Sequence, residues 1–184
     1  MKARLLAWVA QYGAVGIFSA LVLGILGLPV PDEFLLTYAG FLAFSGHLEL
    51  WRAMGAAFLG SVSGITLSYV IGRGLGSHKL DRVLLRIGVT HDKLDHVRDW
   101  FRRRGKWTLV VGYYIPGVRH CTALVAGASH LPLLVFGPFA YAGALIWSQT
   151  FILLGYSLGK GWERASERIH RVSLALTGLV VPGL

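Results

Sequence analysis

The chain has 184 residues, of which 54% are hydrophobic and only 15% charged, and its formal net charge is +9 at pH 7. This composition, with its apolar residues in long runs, is typical of an integral membrane protein and rare in soluble domains of this length. The single cysteine, Cys121, excludes an internal disulfide, and we interpret it as a small packing residue.

Three apolar runs are long enough to cross a membrane. They cover residues 5–28, 53–72 and 131–158. Each reaches the roughly 20 residues that a helix needs to span the hydrocarbon of a bilayer. Lys2 and Arg4 precede the first run as in a signal peptide, but the run is too long for one, so we expect a retained helix.

A basic connection separates the second run from the rest. Between Arg73 and Lys106 lie ten Lys or Arg against four Asp. The positive-inside rule places this connection in the cytosol, with anionic lipid headgroups rather than nucleic acid as its partner. Two amphipathic helices are predicted, before and after Gly88, lying along the membrane or on the cytosolic face of the protein itself.

Two further apolar stretches are too short to span. Residues 34–46 form the first, and residues 107–118, continued by 121–129, form the second. Pieces of this length with prolines beside them predict re-entrant hairpins, which enter and leave the membrane on one side.

The two short stretches repeat one pattern. From Pro29 the chain has PVPDEFLLTYAG, and from Pro116 it has PGVRHCTALVAG, with Asp32 and Arg119 in the fourth position. The apolar spans also end alike, in GRGLG at 72–76 and GYSLG at 155–159. The order of the parts indicates an internal duplication of hairpin plus spanning helix.

Alternating spans would make the two copies inverted, as in many secondary transporters. We therefore predict one all-α membrane domain over residues 1–184. It comprises a first half with an N-terminal helix, a basic amphipathic connection, a second half and a tail, at residues 1–76, 77–104, 105–160 and 161–184. Lys160, Arg164, Arg168 and Arg171 follow the last span and favour a cytosolic C-terminus instead.

Ionisable residues at membrane depth are expensive and mark candidate sites. Asp32, Glu33 and Arg119 qualify, with headgroup-level placement as the alternative. A buried carboxylate can carry a proton, while an arginine offers a fork of donors suited to phosphate. His120, beside Arg119, is a further proton candidate, although the sequence favours an ordinary place at the membrane interface for it. The sequence lacks a nucleophile–base pair, a metal cluster and a nucleotide loop, so we expect neither an enzyme nor a cofactor.

Four segments together resemble the DedA family of membrane proteins: GLPVPDEFLLTYAGFLA, SYVIGRGLG, GYYIPGVRHCTALVAGA and LGYSLGK. The resemblance implies a bacterial inner-membrane protein with two opposed re-entrant hairpins that moves lipids such as undecaprenyl phosphate or phosphatidylethanolamine, with proton coupling. It assigns the family's acidic residue to Glu33 and the arginine of its Pro-Gly-x-Arg motif to Arg119.

The chain also departs from the family pattern. The region LVLGILGLP lacks an acid, Tyr113 and Tyr114 stand where many members have Arg-Phe, and SGITLSY lacks an Asp. Asp32 is an extra acid that partly replaces the missing one. These departures favour a scramblase-like or zwitterionic-lipid role more than the family alone would.

The sequence thus predicts a lipid transporter with a midplane site for a phosphate headgroup. Arg119, with Tyr113 or Tyr114, would hold the headgroup, and Glu33, assisted by Asp32, would help to release it. A small-ion or proton antiporter and a non-transporting envelope scaffold are the alternatives. The residues that shape the hairpins are Pro29, Pro31, Gly40, Pro116, Gly117 and Gly127.

Overall fold

The computed structural model describes residues 2–24, 32–86, 99, 103, 105–114 and 118–159. Within these ranges every regular element is helical, which confirms the predicted all-α class. The α-helices are α1 (Lys2–Leu23), α2 (Asp32–Phe44), α3 (Leu50–Arg86), α4 (Thr108–Val111), α5 (Val118–Ala128) and α6 (Leu133–Leu158), and 3₁₀ turns cover Gly105–Trp107 and Gly112–Tyr114.

The chain forms two compact units that interleave in sequence. The first unit comprises Met1–Gly64 and Leu145–Leu184, and the second comprises Ile65–Ala144. The long helices α3 and α6 therefore each contribute to both units. The predicted boundaries at residues 76, 104 and 160 stay predictions.

The N-terminal helix folds back on itself, which corrects the predicted continuous span over 5–28. Gly13 has φ 54° and ψ −125°, so α1 is two helical segments joined at a kink. The Trp8 indole Nε1 donates to the Ser19 hydroxyl at 3.3 Å, although these residues would lie about 16 Å apart along a straight helix. Glycine adopts this left-handed conformation without a side-chain clash, which hydropathy cannot reveal. The described part of α1 is therefore not one straight membrane crossing.

Two helices match the other predicted spans. The continuous apolar segments are Leu50–Gly76 and Leu133–Leu158, with 27 and 26 residues, long and apolar enough to cross a membrane. Large apolar side chains such as Leu59 and Leu134 point outward, the latter 90% exposed. Outward apolar faces of this kind are what helices present to lipid.

The two short helices are too short to span. Helix α2 has 13 residues and α5 has 11, about 20 Å and 16 Å of helix. Helix α2 contacts α1, while α5 contacts α4 and the turn Gly112–Tyr114. In its described part, the predicted apolar stretch at 107–118 is not one continuous helix but a succession of short helical turns.

In the first unit, α2 lies directly against the end of α6. A Cβ added at Gly40 would overlap the backbone carbonyl of Ile152 and lie 2.8 Å from the amide nitrogen of Tyr156. A Cβ at Gly155 would overlap the carbonyl of Thr37. Both glycines permit the two backbones to touch, as small residues do between membrane helices.

In the second unit, α5 meets α3 in the same manner. A Cβ at Gly127 would overlap the carbonyl of Tyr69 and lie 2.8 Å from the amide nitrogen of Arg73. A Cβ at Gly72 would overlap the carbonyl of Leu124.

The start of the basic connection packs on the protein. Leu80 is buried in a cluster with Val125 and Ala128 of α5, and the side chain of Cys121 packs at its edge. This supports the packed alternative for the first turns and the packing interpretation of Cys121. The predicted second amphipathic helix lies almost wholly outside the described residues, as do the C-terminal basic residues.

Candidate functional site

Both carboxylates singled out in the sequence lie in the first turn of α2. Asp32 and Glu33 are half-buried there. The Thr37 hydroxyl donates to the Glu33 carbonyl at 2.6 Å. Negative charge near a helix N-terminus is stabilised by the helix dipole. The two acids therefore have a structural reason for their place, in addition to any function.

Arg119 lies at the corresponding end of α5. Its side chain is only 6% exposed, and the Thr122 hydroxyl donates to its backbone carbonyl at 2.7 Å. The first turn of α5 carries no acid. A cation at a helix N-terminus opposes the dipole, so helix stability does not explain this residue. The burial of a charge where the helix disfavours it points to a functional role.

A hydrogen-bonded series joins Arg119 to α3. The Arg119 Nε–H donates to His120 Nε2 at 3.1 Å, and the other ring nitrogen, Nδ1, lies 3.0 Å from the Ser68 hydroxyl oxygen. Since Nε2 accepts, a neutral His120 carries its proton on Nδ1 and donates it to Ser68. The imidazole thus holds the guanidinium as a neutral acceptor.

The two tyrosines differ sharply. Tyr113 is 1% exposed, and its ring lies 2.7 Å from where a Cβ on Gly143 would be. Tyr114 is 40% exposed. Tyr113 is thus held inside the second unit, while Tyr114 has the more accessible side chain.

The remaining predicted site residues divide into two groups. Gly40 and Gly127 form the close helix contacts described above. The other four, Pro29, Pro31, Pro116 and Gly117, lie outside the described residues. Among the described residues, no cluster of three or more His, Cys, Asp or Glu is placed to hold a metal ion.

Asp32 and Glu33 belong to the first unit, and Arg119 and His120 to the second. The structure brings together Arg119 and His120, and it adds Ser68 to them. A single site shared by Glu33 and Arg119 stays a prediction.

Comparison with known proteins decides the family. A sequence model of the VTT domain matches residues 30–157. The chain belongs to the VTT-domain family. This confirms the DedA resemblance, and the match includes Asp32, Glu33, Ser68 and Arg119.

Relatives of this VTT-domain protein include bacterial membrane proteins. "Uncharacterized membrane protein YbfM" of Bacillus subtilis is 36% identical, over 82% of this chain and 93% of its own length. "Alkaline phosphatase-like protein" of Lactococcus lactis subsp. cremoris is 28% identical, over 92% of this chain and 83% of its own. "Undecaprenyl phosphate transporter A" of B. subtilis is 28% identical, over 87% and 79%. No solved structure matches the chain.

Ser68 is the site residue that the sequence did not reveal in this VTT-domain protein. Gly72 of α3 touches Leu124 of α5, and Ser68 and His120 lie one helical turn earlier on these two helices. A polar residue inside an apolar span was the available signal. Choosing Ser68 over the other polar residues of α3 required knowing which α3 turn faces α5.

Proposed function

We propose that the protein is a lipid transporter of the bacterial cytoplasmic membrane, which it crosses several times. It moves a phosphate-bearing lipid, either undecaprenyl phosphate or a phospholipid, between leaflets without covalent chemistry. Membership of the VTT-domain family and the relative named as an undecaprenyl phosphate transporter support this substrate class.

The observation that carries the proposal is the buried guanidinium of Arg119. It stands in the first turn of a helix too short to cross a membrane, where neither helix stability nor solvation favours it. A guanidinium is always charged and presents its donors in a planar fork that matches phosphate oxygens. Arg119 would therefore bind the headgroup, with the more accessible Tyr114 as a further donor.

The carboxylates would act in release. Glu33, assisted by Asp32, would take up a proton or repel the phosphate as the lipid leaves. The partial exposure of both acids supports this role, because it leaves their carboxyl groups within reach of a headgroup. Coupling of transport to protons would follow from the same residues.

We also propose that the fold contains two copies of one hairpin-plus-span repeat, in inverted orientation. The recurring glycine contacts support the duplication. Gly127 and Leu124 lie 87 positions after Gly40 and Thr37 (127 − 40 and 124 − 37). Gly155 and Ile152 lie 83 positions after Gly72 and Tyr69 (155 − 72 and 152 − 69). A constant offset within each helix is what a duplicated pair of helices predicts.

The test is translocation of undecaprenyl phosphate in vesicles of phosphatidylethanolamine and phosphatidylglycerol. We expect Arg119→Ala to slow its movement between leaflets by at least about 10-fold, since it removes a charge-assisted contact. Glu33→Gln would reduce the rate by a smaller factor. The matched control is Arg52→Ala, because Arg52 is exposed and paired with Glu49 at 3.0 Å. Unchanged transport in both site variants would remove these residues from the mechanism.

The same vesicles separate the alternatives. Transmembrane cation or proton flux without lipid movement would favour an antiporter, and neither flux nor lipid movement would favour a scaffold. Release of inorganic phosphate from the lipid would contradict the non-enzymatic proposal and agree with the phosphatase-like name of one relative.

A further inference from the structure

The headgroup binding and release proposed above do not use the Ser68–His120 pair. We propose that Ser68 and His120 are positioning residues, which fix the orientation of the Arg119 guanidinium while leaving its positive charge intact. This inference rests on the proposed headgroup-binding role of Arg119.

The first argument is geometric. A hydrogen bond from Nε–H to the imidazole, 3.1 Å long, restrains rotation of the planar guanidinium about the end of its side chain. The imidazole is restrained in turn by Ser68 at 3.0 Å on its other nitrogen. Arginine on a flexible stem would otherwise lose rotamer entropy on meeting each headgroup. The pair therefore pre-orients the side chain before the lipid arrives.

The second argument concerns charge. A carboxylate at position 120 would also accept the Nε–H bond, but it would cancel the positive charge that attracts phosphate. A neutral imidazole accepts the same hydrogen bond and cancels nothing. The choice of acceptor thus keeps Arg119 both fixed and cationic.

The third argument is the rigidity of the support. Ser68 and Arg119 are buried, at 0% and 6% exposure. One turn further along both helices, Gly72 and Leu124 lock the two backbones in direct contact. Because the helices cannot separate at that point without losing packing, the distance from Ser68 to His120 is set by the fold.

The test uses substitutions that keep or remove the acceptor and its charge. His120→Gln keeps a neutral acceptor, His120→Glu keeps an acceptor but adds negative charge, and His120→Ala removes the acceptor. In the vesicles above, with undecaprenyl phosphate at varied mole fraction, we expect Gln to stay within about 3-fold of the wild-type apparent KM. Ala and Glu should raise it about 10-fold or more, with a smaller change in maximal rate.

His47→Gln is the matched control, since His47 is exposed in the turn after α2. Equal apparent KM values for all three His120 variants would overturn the inference. The inference would also be overturned if the three variants changed only the maximal rate, in proportion to their loss of folding stability. That pattern indicates a merely structural role.

A second measurement does not depend on transport. Nitrogen-15 NMR of the labelled protein in the same lipids should show His120 protonated on Nδ1 alone, and Ser68→Ala should remove this preference and shift the Arg119 Nε signal. A wild-type ring protonated on Nε2, or an Arg119 signal indifferent to Ser68→Ala, would overturn the positioning role. If the wild-type protein moved no lipid in the vesicles, the proposed transport function would be wrong. The His120 tautomer and the Arg119 Nε signal would still test whether Ser68 and His120 orient Arg119.

Discussion

The two compact units contain the same kind of glycine contact between helices but carry different charged residues. In the first, Gly40 and Gly155 bring α2 against α6, and in the second, Gly127 and Gly72 bring α5 against α3. In both, a short helix packs against a long apolar helix. Each unit therefore has the same packing, although the charged residues of its short helix differ.

The difference lies at the start of each short helix. Asp32 and Glu33 in the first unit occupy the positions that Arg119 and His120 occupy in the second, 87 residues later (119 − 32 and 120 − 33). The acidic pair agrees with the helix dipole and the basic residue opposes it. The helix dipole therefore accounts for the charges at the start of α2, whereas it does not account for Arg119 at the start of α5.

The largest expected effect comes from breaking the shared contact. Gly40→Ala and Gly127→Ala each place a methyl group where a backbone carbonyl lies, so a helix must move. We expect each to destabilise the protein by about 3 kcal/mol or more, at the upper end for overpacking. The midpoint of unfolding in mixed micelles measures this, and similar losses for both variants would show that the contacts are equivalent.

Gly55→Ala is the control for these substitutions. Gly55 lies in α3 with nothing within 4 Å of an added Cβ. Alanine there should stabilise the helix by up to about 1 kcal/mol. A loss of stability in Gly127→Ala without one in Gly40→Ala would mean that the glycine contact does not stabilise both units alike.

A smaller effect should distinguish the units. The Tyr69 hydroxyl donates to the Leu131 carbonyl and accepts a bond of 2.7 Å from Arg73, whereas the corresponding position in α6 is Ile152. Tyr69→Phe keeps the stacking on Phe136, with ring centroids 4.3 Å apart, but leaves the carbonyl without this donor. We expect a loss of about 1–2 kcal/mol in unfolding free energy.

Tyr12→Phe serves as the comparison, because Tyr12 is 46% exposed and the substitution keeps its ring contact with Trp8. An equal change in both variants would mean that the Tyr69 hydrogen bonds contribute nothing specific to the second unit.

The sequence predicted the features that depend on length and composition. The two long apolar helices were predicted over 53–72 and 131–158, because an apolar run of that length is typical of a membrane helix. The echo between PVPDEFLLTYAG and PGVRHCTALVAG pointed to Gly40 and Gly127, which both prove to be helix contacts.

The features it missed depend on backbone conformation and tertiary pairing. Hydropathy is the same for a straight helix and for one folded at Gly13, so the kink in α1 could not be predicted from the apolar run. His120 was named as a proton candidate from its sequence neighbour Arg119, and that role stays a prediction. Its hydrogen bond to Ser68, 52 positions away, could not be predicted from the sequence.

The smallest expected effect concerns how the two short helices end. Gly46, two residues after the end of α2, has φ 76°, and His130, two residues after the end of α5, has φ 53°. At both ends a backbone amide bonds to the carbonyl five residues earlier, His47 to Leu42 and Leu131 to Ala126, each at 3.0 Å. This is the Schellman arrangement, whose left-handed residue is usually glycine because a Cβ is strained there.

His130→Gly should relieve that strain, offset in part by the greater freedom of glycine in the unfolded chain, and raise the unfolding free energy by about 0.5 kcal/mol. Gly46→Ala should lower it by about 1 kcal/mol for the same reason in reverse. Unfolding midpoints in micelles would check both signs, and a destabilising His130→Gly would show that the histidine side chain contributes more than its backbone conformation costs.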